Sequence, residues 1–230
     1  MLRGVGKALQ EALDGEKGDK PSPPSSSPLL NAQRRRIFEY LCLRPFVAAG
    51  RLTRDLGISS SSAAWHLRSL VAVGLIAYKE GPKTYHPKDF VDAQDENLFT
   101  VLGAPNRSEV LRCIIDSPGI SQVELSEAIR VGRQTAGKIV SELRDLGLVV
   151  KVEDGRFARW YPTNLLREKQ EAQRARSRGF VDRLLETLED GRLNPQVLKR
   201  TDRELQIRIG KGRGKGVLSL PLDPYGAIVV

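Results

Sequence analysis

Residues 52–76, LTRDLGISSSSAAWHLRSLVAVGLI, and residues 125–149, LSEAIRVGRQTAGKIVSELRDLGLV, are one pattern written twice. Ile37, Leu41, Pro45, Leu52, Leu56, Leu70, Gly74 and Leu75 line up with Val110, Ile114, Pro118, Leu125, Ile129, Leu143, Gly147 and Leu148 at a constant offset of 73 residues. A fixed period means that each copy must bury the same face. In both stretches a short helix meets a tight turn, Gly57-Ile58 or Val131-Gly132, and a longer helix follows. Ser59 is a good N-cap for the longer helix of the first copy. Gly74 and Gly147 stop these helices, since glycine takes the left-handed conformation without steric cost. A Gly-Leu step then enters an apolar run.

Working outward, each copy extends in both directions. Asn31 can cap a helix carrying Ile37, Phe38, Leu41 and Cys42 that ends near Pro45. A second helix covers about 47–56, and the third runs from about 60 to 73. LIAYKE, Gly81-Pro82 and KTYHP make a two-stranded, basic wing. The second copy is preceded by a short helix near 96–102 and repeats the plan, with Ser121 capping its second helix and its third helix over about 133–146. GLVVKVEDGRFARWYP is its wing, turned at Asp154-Gly155. Helix, helix, turn, helix and wing is the order of a winged helix-turn-helix.

The predicted architecture is therefore mainly α with small β wings: two tandem winged helix-turn-helix domains, a long connecting helix and a C-terminal β-hairpin. The expected boundaries are 1–30, 31–93, 94–162, 163–191 and 192–230. Residues 1–30 hold a short stripe of Leu2, Val5, Leu9 and Leu13, followed by a Pro/Ser-rich linker. That stripe is either a docking helix or a frayed tail. Residues 163–191 make a charged helix whose apolar residues (Phe180, Val181, Leu184, Leu185, Leu188) gather at its far end. Such a face either docks on the repeats or forms a homodimer contact over residues 180–188, and the sequence leans to the dimer. Last come LQIRI, GKGRGKG and VLSLPL, two alternating strands around a basic loop.

Composition favours a polyanionic partner. The 230 residues carry a formal net charge of +9, unevenly spread: 0 over 1–30, +5 over 31–93, −1 over 94–162 and +5 over 163–230. Cys42 and Cys113, each among apolar residues, read as packed thiols of a reduced protein. No apolar run approaches the roughly 20 residues of a membrane span, so a soluble, cytoplasmic and nucleoid-associated protein with no membrane partner is expected. Catalysis and metal binding lack support. His66 and His86 are the only histidines, no Cys/His cluster has ligand spacing, and GKGRGKG lacks the spacing of a phosphate-binding loop. Neither enzyme activity nor a cofactor is expected.

The third helix of a winged helix lies in the major groove, where each base pair shows its own pattern of donors and acceptors. In the first copy Ala63, Leu67 and Leu70 form the inner stripe, leaving Ser60, Ser61, Ala64, Trp65 and Arg68 outward. Trp65 suits a thymine methyl or the sugar–phosphate edge; the alternative is packing against a neighbouring helix. His66, beside the inner stripe, is given no role. The matching residues of the second copy are Arg133, Gln134, Gly137, Lys138 and Ser141. Arg suits guanine, Gln suits adenine, and Gly137 leaves room for close backbone approach. The wings add Lys79, Lys83 and Thr84, then Lys151, Arg156 and Arg159, as backbone contacts. Lys211, Arg213 and Lys215 of GKGRGKG are a further phosphate-facing tip or a solvated turn.

LTRDLGISSSSAAWHLRSLVAVGLI resembles the helix-turn-helix of the ArsR/MarR-like winged-helix regulators, and the duplication over residues 31–162 resembles archaeal regulators with two such domains. The resemblance implies transcriptional control, often as dimers, through third-helix and wing contacts to double-stranded DNA. The cysteine pairs of metal-sensing members are missing from the second and third helices, so no metal effector is implied, and any small-molecule effector stays open. The competing reading is a winged-helix scaffold subunit of a chromosome or transcription complex, which the charge of −1 over the second copy favours.

Overall fold

The structure is a computed structural model and describes residues 28–79, 83–155, 157–211 and 215–228. The expected N-terminal helix and most of its linker, the Gly81-Pro82 turn, Arg156 and Arg213 lie outside the described residues. Eight α-helices and three small antiparallel sheets make up the described chain.

The first set of elements is α1 (Ala32–Leu43), β1 (Val47–Ala48), α2 (Ala49–Leu56), α3 (Ser60–Ala72), β2 (Ile76–Lys79) and β3 (Thr84–Pro87). After α4 (Glu96–Leu102) the same order recurs as α5 (Arg107–Asp116), β4 (Ile120–Ser121), α6 (Gln122–Ala128), α7 (Arg133–Asp145), β5 (Val149–Asp154) and β6 (Phe157–Pro162). Both sets have the helix order and strand order of a winged helix: β1-β3-β2 in one, β4-β6-β5 in the other. Each wing thus has a third, two-residue strand beyond the two the sequence showed. A strand that short is set by its neighbour's hydrogen bonds, not by its own residues.

Local signals account for the helix boundaries. Asn31 accepts hydrogen bonds from the N–H groups of Gln33 and Arg34 at 2.9 and 3.1 Å, and Ser59 accepts one from Ser62. Ser121 and Glu124 form a reciprocal capping box at the start of α6. Gly74 and Gly147 adopt φ of 73° and 74° just beyond the ends of α3 and α7. The inner stripes close the cores: Ala63, Leu67 and Leu70 of α3, and Ala136, Ile139, Val140 and Leu143 of α7, are fully buried.

One pair of positions shows how the copies diverged while keeping their shape. Phe46 and Gly119 follow the equivalent prolines and both hold positive φ, 58° and 89°. Gly119 does so freely, and the Tyr161 hydroxyl fills the space that a Cβ would need, 2.9 Å away. In the first copy the large residue is Phe46 itself, stacked on the His86 ring at 4.4 Å. The aromatic bulk has moved to the other strand, and the strain at Phe46 is offset by that packing.

α8 (Leu165–Asp190) runs 26 residues and is capped by Gly191. Its apolar face corrects the leaning toward a dimer contact over 180–188. Phe180, Val181, Leu184 and Leu188 are buried within the chain, with the Phe180 ring 4.7 Å from Phe90 and 6.4 Å from Phe38. A face already covered by its own chain offers a second copy no apolar area. The polar first half is also tied down. Gln173 Nε2 donates to Phe90 O at 3.0 Å, Ser177 Oγ donates to Leu222 O at 2.9 Å, and Lys169 pairs with Asp95 at 2.8 Å.

The C-terminal region is a three-stranded sheet rather than a hairpin: β7 (Gln196–Arg200), β8 (Glu204–Ile209) and β9 (Gly216–Pro221), in that order. β7 escaped notice because QVLKR is exposed throughout and lacks apolar alternation. The alternating residues Leu205, Ile207, Ile209, Leu218 and Leu220 are fully buried. β9 lies against α1, where the Ser219 N–H donates to Glu39 Oε1 at 2.8 Å. No helix among the described residues is long and apolar enough to cross a membrane.

Candidate nucleic-acid interface

The outward residues of α3 are all exposed: Ser60, Ser61, Ala64, Trp65 and Arg68. Trp65 keeps 51% of its surface open, a large apolar area for a residue on a well-packed helix. One face of its indole is covered by the Arg34 guanidinium, 4.4 Å from the ring centroid, and its edge meets the His66 ring. Arg34 is itself buried, and its Nε has no hydrogen-bond partner among the described residues. Burial lowers the Arg34 pKa from its ordinary value. An arginine held this way costs free energy that the indole contact only partly offsets. The arrangement fixes the indole on the outward side of α3. Sequence reasoning gave Arg34 no role; the triplet Arg34-Arg35-Arg36 was the available signal.

The other two arginines of that triplet hold backbone together. Arg35 donates to the carbonyls of Leu29 and Leu30 at 2.9 and 2.8 Å, and Arg36 donates to Leu56 O at the end of α2 at 3.3 Å. Neither is a solvated charge by default.

In α7, Arg133, Gln134 and Lys138 are exposed, and none of the three makes an ion pair among the described residues. Two of the outward positions are less open than the rest. Gly137 makes room for Gln122 and not for a ligand: a Cβ there would sit 2.5 Å from Gln122 Nε2, which donates to Arg133 O at 2.9 Å. Glycine thus lets α6 pin the first turn of α7. Ser141 is half-buried and accepts from Arg144 at 3.2 Å. Arg107 of α5 pairs with Glu142 at 3.0 Å and anchors α7 from its inner side.

The wing residues divide similarly. Lys83 is exposed, with its ammonium 4.2 Å from the Tyr78 ring centroid. Thr84 is buried and donates to Glu96 Oε1 at 2.8 Å, so it cannot meet a backbone phosphate in this arrangement. Lys79 pairs with the other oxygen of Glu96 at 2.7 Å. The lysine's hydrogen bond, and then that of Thr84, hold the Glu96 carboxyl below its ordinary value against its burial. Arg159 corrects the second wing: it donates to Gly119 O at 3.3 Å and lies within 3.5 Å of both Glu124 and Asp154. Lys151 pairs with its strand neighbour Glu153 at 2.5 Å. The second wing spends its described cations on its own carboxylates. Lys211 and Lys215 flank the C-terminal loop in exposed positions.

Burial lowers the pKa of both histidines; Arg34 adds to the shift at His66, and Glu96 and Asp89 oppose it at His86. In the unfolded chain each binds a proton near pH 6.5, in the folded chain only at lower pH. The unfolded state therefore holds more protons in that window, and stability should fall as pH drops below about 6.5. Urea midpoints at pH 7.5 and pH 5.5 check this, and replacing His86 by Phe should remove part of the difference.

Cys42 is buried and Cys113 half-buried, and burial pushes both thiols up from their ordinary pKa. Among the described residues no group of three or more His, Cys, Asp or Glu side chains could hold a metal ion.

Residues 104–159, which contain α5 through β5 and the first half of β6, match the model of the MarR family. The chain is also similar to an uncharacterized HTH-type transcriptional regulator of Methanocaldococcus jannaschii, 27% identical over 135 residues. That similarity covers 58% of this chain and 34% of the relative, so the chain spans about a third of the relative's length. Among solved structures, the transcriptional regulator SlyA is matched at 23% identity and a TM-score of 0.27, over 44% of this chain and 79% of that one. ScpB from Mycobacterium tuberculosis is matched at 15% identity and a TM-score of 0.26, over 59% of this chain and 92% of that one. The part of the chain that is similar to the MarR family is thus the second set of winged-helix elements, residues 104–159.

Proposed function

We propose that this chain is a transcriptional regulator that binds double-stranded DNA through two tandem winged helices, with α3 and α7 in the major groove. One observation carries the reading: Ser60, Ser61, Ala64, Trp65 and Arg68 of α3 and Arg133, Gln134 and Lys138 of α7 are exposed on the outward faces, and the cations among them make no ion pair among the described residues. The similarity of residues 104–159 to the MarR family and of the chain to an HTH-type regulator supports it. Arg68, Trp65, Arg133, Gln134 and Lys138 are the residues assigned to the groove, and Lys83, Lys211 and Lys215 are assigned to the phosphates. Thr84 is buried and withdrawn from direct contact, Gly137 lies against Gln122, and Lys79, Lys151 and Arg159 reach a phosphate only by leaving a carboxylate.

The test is duplex binding measured against salt, with a random duplex and a structured RNA as competitors. A steep slope, with about 0.9 contributed per phosphate contact, and preference for one duplex support the regulator. Replacing Arg34 by Met removes the charge behind the indole and leaves the outer surface intact. The selected duplex should then lose preference near Trp65, with the salt slope unchanged. A slope shallower by about one would make Arg34 a phosphate contact instead.

A second reading is favoured by the charge of −1 over 94–162 and by the carboxylates that hold Arg159 and Lys151. In it the second winged helix contacts a protein, and the chain is a scaffold subunit. Binding to no duplex at low salt would support that reading.

A further inference from the structure

A cavity of about 360 Å³ opens where the first winged helix meets the start of the second, and nothing in the duplex-binding reading uses it. Its walls are the β1 residues Val47 and Ala48, Phe46, the C-terminal half of α4 and the 3-10 turn Gly226–Ile228. We propose that it binds a small amphipathic anion, an apolar chain or ring ending in a carboxylate.

The apolar part follows from the walls. Phe46, Phe99 and Leu102 are buried core residues that border the space, and Pro45, Val47 and Ile228 continue the apolar lining. A cavity of this size suits a small organic molecule rather than a few waters. The anionic end follows from which charges are already satisfied. Three charged side chains line the cavity: Arg44, Arg51 and Glu96. Glu96 accepts from both Lys79 and Thr84. Arg51 pairs with Asp55 at 3.5 Å and donates to the carbonyl of Gly103. Arg44 makes no ion pair or side-chain hydrogen bond among the described residues. The charge left to a ligand is therefore a guanidinium, which binds a carboxylate in a planar, bidentate fashion.

The position gives the site a consequence. Thr84 and Glu96 anchor the base of the first wing, while Gly103 belongs to the connection into α5 and Ser108 to the first turn of α5. An occupant touches both at once, so its binding free energy is linked to any shift between the two winged helices.

Octanoate, octanol and octylamine are the probes, with the full chain observed by calorimetry and by amide shifts of Ala48 and Gly103. Octanoate should bind tightest. Arg44→Gln should weaken it about tenfold, and Arg44→Lys, which keeps the charge but loses the planar fork, should fall between that and the unchanged chain. Thr100→Trp, at the exposed rim, should block all three without touching the core. Tighter binding of octylamine would make Glu96 the anchor and overturn the proposal, as would an unchanged affinity in Arg44→Gln or no binding at all. The readout needs no nucleic acid, so it stands or fails separately from the duplex-binding reading.

Discussion

Disabling either recognition helix alone should cost the preferred duplex about a hundredfold in affinity or more. The substitutions are Trp65→Glu with Arg68→Glu on α3, and Arg133→Glu with Lys138→Glu on α7. All four side chains are exposed, so the fold should survive each pair. The size of the effect comes from linkage. When one head is bound, the second faces its half-site at an effective concentration near millimolar, and joined affinities exceed single ones by about 10²–10⁴. Removing one head forfeits that gain as well as its own contacts. Fluorescence anisotropy at fixed salt, on a full duplex and on one cut to half its length, measures both terms. The half-length duplex should respond only to the pair on the head it holds. If the α3 pair abolishes binding and the α7 pair changes nothing, the second winged helix is not a reading head. The scaffold role for residues 94–162 then gains the ground.

Much of the helix-turn-helix geometry was legible in the sequence. The 73-residue offset located both third helices, the inner stripes were given by apolar spacing, and the outward residues followed by elimination. Ser59, Ser121, Gly74 and Gly147 marked helix ends because caps act within four residues and need no tertiary knowledge. What stayed hidden depended on partners distant in sequence. Thr84 looks like a wing residue until Glu96 is placed beside it, and Arg159 looks like a free cation until Glu124 and Asp154 close on it. Gly137 invites a ligand only while Gln122 is unseen. The apolar end of α8 could not be assigned to an inner or outer partner from periodicity, since both require the same stripe. β7 carries no local signal, because its place is determined by the edge of β8.

Asp95→Ala should lower stability by about 3 kcal/mol, the cost of stranding the partners of a buried carboxylate. For a chain of this size that corresponds to a fall of roughly 6–12 °C in melting temperature. Asp95 is 6% exposed, accepts from the Tyr225 hydroxyl at 2.6 Å and pairs with Lys169 at 2.8 Å. Burial, reinforced by the Asp95 hydrogen bond, pushes the Tyr225 hydroxyl far above its ordinary pKa, so it stays a donor. Three distant segments thus meet at one side chain: the connection between the winged helices, the long helix α8, and the C-terminal tail. Tyr225→Phe should cost only about 1 kcal/mol, since it removes one hydrogen bond and leaves the ion pair in place. Asp95→Asn should fall between, as the amide oxygen still accepts but the charge facing Lys169 is gone. Scanning calorimetry of the three variants gives the order. The same substitution has a functional corollary, because Asp92 and Asp89 also bind α8 through Arg176 and Arg183. That row of contacts holds the connection that, in the proposed reading, would set the spacing of the two heads. Asp95→Ala should therefore weaken the full-length duplex more than the half-length one. Equal weakening of both would mean that the carboxylate stabilises the fold without governing how the heads are spaced.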